Sequence, residues 1–116
     1  MKRKQLRFGQ GFRVAIDHTR AQAAEMVIPP GDQEGDAGNR HKAADQWLFV
    51  VSGMGRAVVN GKSVPLKPGT LLLIEHKDRH EVKNTGKGML KTLNFYCPRA
   101  YSKGGQELPA ARRPGT

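Results

Sequence analysis

A single cysteine, Cys97, rules out an internal disulfide, and its place in an apolar, strand-like run reads as a buried structural thiol and not as a nucleophile. No apolar run approaches the ~20 residues needed to span a bilayer. The basic start of the chain passes into Leu6, Arg7 and Phe8 without the apolar core of a secretory signal. A soluble, cytoplasmic protein with no membrane partner is expected. Aromatic residues are few, with one Trp, two Tyr and four Phe, none interleaved with the terminal basic residues. A stacking platform for nucleic acid is therefore missing, and no specific nucleic-acid partner is expected. An internal repeat, an amphipathic helix and a helix-turn-helix segment are absent too, which sets aside a one-chain transcription regulator.

Acidic residues number only ten against twenty basic, for a net charge of +10. Lys2, Arg3, Lys4, Arg7, Arg112 and Arg113 put six of those basic residues at the ends, leaving residues 8–111 with a mild excess. Such ends read as solvated segments whose main effect is non-specific attraction to polyanions at low salt. At 116 residues the chain is long enough for one core and too short for two. The expected organisation is a basic segment over residues 1–7, a folded domain over 8–100 and an irregular tail over 101–116.

What the chain does contain is a series of short strands. Residues 6–16 place Phe8, Phe12, Val14 and Ile16 on one parity, interrupted by Gly9 and Gly11, which predicts a strand with a bulge or bend. Residues 23–28 form a second strand carrying Glu25 among apolar neighbours, ended by Pro29, Pro30 and Gly31. Residues 31–38 read as a loop rich in Gly and Asp. Residues 46–52 are apolar on both parities, which predicts a strand buried on both faces. Asn60 and Gly61, between residues 56–59 and 62–66, suit the positive φ of a type I′ hairpin turn. Residues 71–74 are expected to form another buried strand, and residues 90–97 close the series before Pro98. Eight or so short strands with turns between them predict an all-β sandwich or barrel.

The rest is organised around residues 69–84. A Pro68-Gly69 turn launches an apolar strand, a polar loop follows, and His80 opens a second strand with Val82 and Asn84 on the same face. The spacing from Gly69 to His80 to Asn84 resembles the second conserved motif of the cupin family, with Glu75 where Pro is usual and Lys77 where Gly is usual. Upstream of Gly53 the first cupin motif is matched with two substitutions: Asn39 in the first His position, His41 in the second, and Gln46 in place of Glu. The resemblance implies a cupin-type jelly-roll β-barrel, or double-stranded β-helix, with a ligand cavity at its centre.

It also implies a site. His41, Gln46 and His80 would hold a divalent first-row metal such as Mn, Fe, Ni or Zn, more weakly than the usual three His and one Glu. Asn39, Asn94 and Tyr96 are candidates for the pocket wall, with packing as the alternative for the last two. The alternative for the whole site is a metal-free pocket in which His41 and His80 are neutral polar residues. Glu25 is open between two roles: a barrel-facing carboxylate, serving as a ligand or catalytic base, or a solvent-facing residue of an edge strand. Asp45 is a less favoured ligand, since it lies on the other parity from Gln46. His18 and His76, in turn-like stretches, read as rim residues. The functions implied are a stand-alone metal-binding cupin with a small-molecule ligand, with an oxygenase or isomerase activity left open, or a metal-free sugar or small-anion module without turnover. A symmetric homodimer, with N-terminal strands covering the outer face of residues 46–52, is the expected assembly.

Overall fold

A computed structural model describes residues 1–35 and 44–101. Nine strands lie among them: β1 (Gly11–Asp17), β2 (Gln22–Ile28), β3 (Gln33–Gly35), β4 (Asp45–Ser52), β5 (Gly55–Val59), β6 (Lys62–Leu66), β7 (Leu71–Ile74), β8 (His80–Asn84) and β9 (Leu90–Cys97). They form a five-stranded sheet in the order β1-β2-β9-β4-β7 and a four-stranded sheet in the order β3-β8-β5-β6. Every pairing is antiparallel. No helix of the described residues is long and apolar enough to cross a membrane.

Alternation decides which side chains fill the space between the sheets. Met26 and Ile28 of β2, Leu48 and Val50 of β4, Ala57 of β5, Leu66 of β6, Val82 of β8 and Leu90 of β9 make one buried cluster. A second, smaller cluster joins Ala24, Ala44, Tyr96 and Ala100, with Phe12 and Tyr101 packed against it. Tyr96 and Tyr101 meet edge to face with ring centroids 5.0 Å apart, the geometry the ring quadrupoles favour.

Local chemistry explains the turns. Asn60 and Gly61 both have positive φ, at 50° and 80°, as a type I′ turn between β5 and β6 requires. Lys77 is held at φ 73° in the loop between β7 and β8, where a side chain is strained and the family's usual Gly is not. Pro65 lacks a backbone donor, which is tolerated because β6 is a sheet edge and the Pro65 nitrogen faces away from β5.

Three expectations are corrected. The irregularity in the first strand falls between Val14 and Ile16, while Gly11, at φ 107°, merely begins β1. β4 is not buried on both faces, since Trp47, Phe49 and Val51 on its outer side are 41%, 38% and 39% exposed. β7 is an edge strand with Leu71 and Leu73 exposed. Both readings failed because an apolar residue on a sheet surface has the same sequence signature as one in the core. The N-terminal strand pairs with β2 of its own chain, at the far edge of the sheet from β7.

Lys2 and Tyr101, near the limits of the described residues, are tied to the domain. The Lys2 ammonium donates to the Asp17 carbonyl at 2.6 Å. Gln22, buried at the start of β2, donates to the Asp17 carboxylate and the Tyr101 carbonyl and accepts from the amides of Ala100 and Tyr101. All four hydrogen-bonding positions of one amide are thereby used, and Tyr101 is docked on the domain. Residues 102–116 lie outside the described residues.

Candidate functional site

β7 ends at Ile74, whose register partner on β4 is Gln46. Residues 75–79 then carry the chain across to the other sheet, where His80 opens β8. Gln46 and His80 therefore stand at the same end of the barrel. Both share the parity of core residues, Leu48 and Val82, so both side chains turn inward and both are buried. Asn39 and His41, the other two motif positions, lie outside the described residues.

Each inward side chain has its orientation set by a neighbour. His80 Nδ1 lies 3.2 Å from the Asp78 carbonyl oxygen, which can only accept. A hydrogen bond there places a proton on Nδ1 and fixes the ring with Nε2 turned away from Asp78. Gln46 Nε2 donates to Asn94 Oδ1 at 2.8 Å. Asn94 Nδ2 donates to the Thr92 hydroxyl at 2.9 Å, and that hydroxyl donates to the Met26 carbonyl at 2.8 Å. Asn94 is thus buried on the inward face of β9. Tyr96, next along the same face, is buried in the smaller apolar cluster.

Thr92 was missed by the sequence reading. Its signal was available in the period-2 series Thr92, Asn94, Tyr96 on the last strand, but a lone Thr in a β-strand is ordinary and singled nothing out.

Glu25 is placed on neither of the two expected sides. It alternates with Ala24 and Met26, which face the interior, and so it points to the outer face of β2. There it is nonetheless buried, because the N-terminal segment crosses it: the amides of Arg7 and Phe8 donate to Oε1 at 3.0 and 2.7 Å. Two backbone donors offset the desolvation of the carboxylate, and the Arg13 guanidinium lies 3.9 Å from Oε2. Glu25 borders a surface pocket of about 500 Å³ with Lys4, Gln5, Arg7, Gly9 and Arg13, outside the barrel. It is removed from the interior as a metal ligand or base.

Asp45 also faces outward, on the parity of Trp47. Its carboxylate accepts from the His76 amide at 2.9 Å and contacts the His76 ring at 3.1 Å, anchoring the loop that precedes His80. His76 therefore has a positioning contact that its turn-like setting did not reveal. Cys97, the register partner of Asp45, is half-buried. Among the described residues no cluster of three or more His, Cys, Asp or Glu side chains is placed to hold a metal.

Two antiparallel sheets packed face to face, with Gln46 and His80 at one end of the space between them, define a small-barrel protein of the jelly-roll kind. A family model for the cupin domain matches residues 24–96, and the chain belongs to the cupin family. A protein of Thermotoga maritima named an oxalate-binding protein is 31% identical over 70 residues, which cover 60% of this chain and 56% of that one. The chain thus matches little more than half of that relative's length.

Solved structures agree on the fold. A crystal structure described as a predicted oxalate decarboxylase from Thermotoga maritima superposes with a TM-score of 0.69 at 26% identity, covering 76% of this chain and 79% of that one. A cupin with a double-stranded β-helix fold from Methanocaldococcus jannaschii gives 0.73 at 13% identity, covering 84% of this chain and 91% of that one. The double-stranded β-helix expected from the motifs is the architecture of this chain.

Proposed function

We propose that this cupin is a binding protein that takes a small acidic molecule at a divalent first-row metal, held by His41, Gln46 and His80. The observation that carries the reading is the fixed orientation of the two described side chains. His80 Nδ1 and Gln46 Nε2 are each engaged by a neighbouring protein group, which orients the two buried side chains at one end of one interior. The positions flanking residues 36–43 favour His41 as the third donor: Gly35 pairs with Glu81, next to His80, and Asp45 precedes Gln46. Such a donor set of imidazoles and an amide suits Mn, Fe, Ni or Zn. When bound, the metal supplies a Lewis-acid centre with open positions for ligand oxygens.

Binding without turnover is favoured over an oxygenase or isomerase by the location of Glu25. With that carboxylate on the outer face, the base role considered for Glu25 falls away, and the described part of the wall offers amides, a hydroxyl and an imidazole. The relative named an oxalate-binding protein makes oxalate the first ligand to try. Calorimetric titration of Ni²⁺ or Mn²⁺ is expected to show one site per chain, lost in His41→Ala and in His80→Ala, and oxalate is expected to bind only after the metal. Undiminished metal uptake by both histidine variants would end the reading. Oxalate or sugar binding at equal strength in chelator would move the site to the metal-free class.

The outer face of β4, β7 and β9 completes the reading as the contact between two copies of the chain. Trp47, Phe49, Val51, Leu71, Leu73 and Phe95 leave on the order of 400–500 Å² of apolar side chain exposed there, at about 150–250 Å² for a whole aromatic side chain. That is more than half of the roughly 800 Å² per partner of a stable interface, and a polar rim would supply the remainder. Light scattering is expected to give a dimer, converted to monomer by Phe49→Glu. A wild-type monomer at micromolar concentration would remove it.

A further inference from the structure

We propose a second ligand site, outside the barrel at Glu25, that takes a small carboxylic acid carrying a hydroxyl. The surface pocket of about 500 Å³ beside β1 and β2 has the size of a small-molecule site, and its lining includes Lys4, Arg7, Arg13 and Glu25. Three cations against one carboxylate leave it net positive.

Glu25 is the unusual member, because its side chain is 2% exposed and its two oxygens are treated differently. Oε1 accepts the consecutive amides of Arg7 and Phe8, which converge on it at Phe8, where φ is 51°. Oε2 has no hydrogen-bond donor among the described residues, since Arg13 Nη1, at 3.9 Å, is beyond reach. A buried carboxylate oxygen without a donor is costly, and Glu25 borders a cavity from which a donor can come.

Arg13, the register partner of Glu25 on β1, is held for the complementary task. Its Nη1 and Nη2 each donate at 2.8 Å, to the Gly9 and Gln10 carbonyls, which fixes the guanidinium plane and leaves further N–H groups for a ligand. A ligand oxygen about 2.8 Å from both Nη1 and Oε2 would meet them at an angle of roughly 90°, and a hydroxyl there accepts from the first and donates to the second. A carboxylate cannot, because it has no proton. Its place is with Lys4 and Arg7, the remaining cations of the lining. Hydroxyl and acid together define a hydroxy acid, with sugar acids as the class that fits a pocket of this size.

Gluconate and hexanoate, equal in carbon number, separate this recognition from charge attraction alone. In metal-free wild-type protein, NMR titration with gluconate is expected to shift the Arg7 and Phe8 amides and the Arg13 Nε–H, with an affinity about tenfold above that of hexanoate, because a hydrogen bond to a charged group is at stake. Glu25→Gln puts a donor where the acceptor was and should remove most of that preference. Arg13→Gln, at an exposed side chain, should do the same and serves if the first variant does not fold. Equal affinity for the two acids in the wild type would reduce the pocket to non-specific attraction and overturn the inference. So would gluconate shifts confined to Gln46 and His80, or a preference retained in full by the folded variants. None of these readings depends on the metal site.

Discussion

Two buried asparagines at opposite ends of the barrel show how one side chain serves two purposes. Asn84, at the end of β8, donates to the carbonyls of Ile28 and Gly88 and accepts from the amide of Gly86. All its partners are backbone groups, so it staples the four-stranded sheet to the five-stranded one and closes a turn. Asn94 bonds on both sides to other side chains, Gln46 and Thr92. An amide held by backbone is part of the frame; an amide held by side chains can be retuned by one substitution. The motif asparagine is the structural one, and the wall of the site is built from a residue outside both motifs.

The largest expected effect lies at the Asn84 end. Gly53 has φ 94°, and a Cβ there would collide with the carbonyl of Met89 and with Leu90. Gly53→Ala should cost at least about 3 kcal/mol and lower the melting temperature by roughly 10–20 °C. A fall of only a few degrees would mean that this end is as adaptable as the other, and the contrast would be lost. Next comes Gln46→Glu at the His80 end. A carboxylate has no proton for Asn94 Oδ1, so the metal-free protein should lose about 1–3 kcal/mol, read as a lower melting temperature. With metal present the added negative charge should tighten Ni²⁺ binding, as calorimetry would show. A variant with wild-type stability would indicate that Asn94 turns freely.

Smaller effects sharpen the same comparison. Lys77→Gly relieves a left-handed backbone of about 1 kcal/mol, offset by the greater freedom of Gly in the unfolded chain, so thermal stability should be unchanged or slightly raised. A clear loss would show that the Lys77 side chain itself secures the loop before His80. Least is expected at Glu34, on the edge strand β3. Although the residue is largely exposed, desolvation of its carboxyl, with the Asp32 charge second, raises its pKa above the usual carboxylate value. The folded state thus holds a proton that the unfolded state releases, and stability falls as pH rises from the ordinary carboxylate value through the raised one. Glu34→Gln should flatten that slope in melts between pH 4 and 7.

Much of this was legible in the sequence. The alternation of His80, Val82 and Asn84, the Asn60-Gly61 turn and the spacing back to Gln46 all report local geometry, and local geometry repeats in the chain's own period. What was not legible depends on partners far away in sequence. Whether Trp47 or Leu48 faces the core turns on which side of β4 the other sheet lies. Glu25 is buried by backbone amides from residues 7 and 8, and a backbone amide has no sequence signature. Thr92 matters because a carbonyl of β2 needs a donor from β9, 66 residues later. β3 is two polar residues and a glycine that pair because β8 offers them an edge.

One feature of the sheet order reaches into how the molecule comes to exist. β9 is the last strand among the described residues and the middle strand of the larger sheet, lying between β2 and β4. As the chain leaves the ribosome, β1 with β2 and β4 with β7 can pair as two separate ribbons, each with a bare edge waiting for the same missing strand. Only when residues 90–97 emerge do both edges vanish at once and the buried amide of Asn94 meet Gln46. Until then the nascent chain carries two unpaired templates for misassociation with neighbouring chains, and its hold on a correct fold arrives late and in a single step.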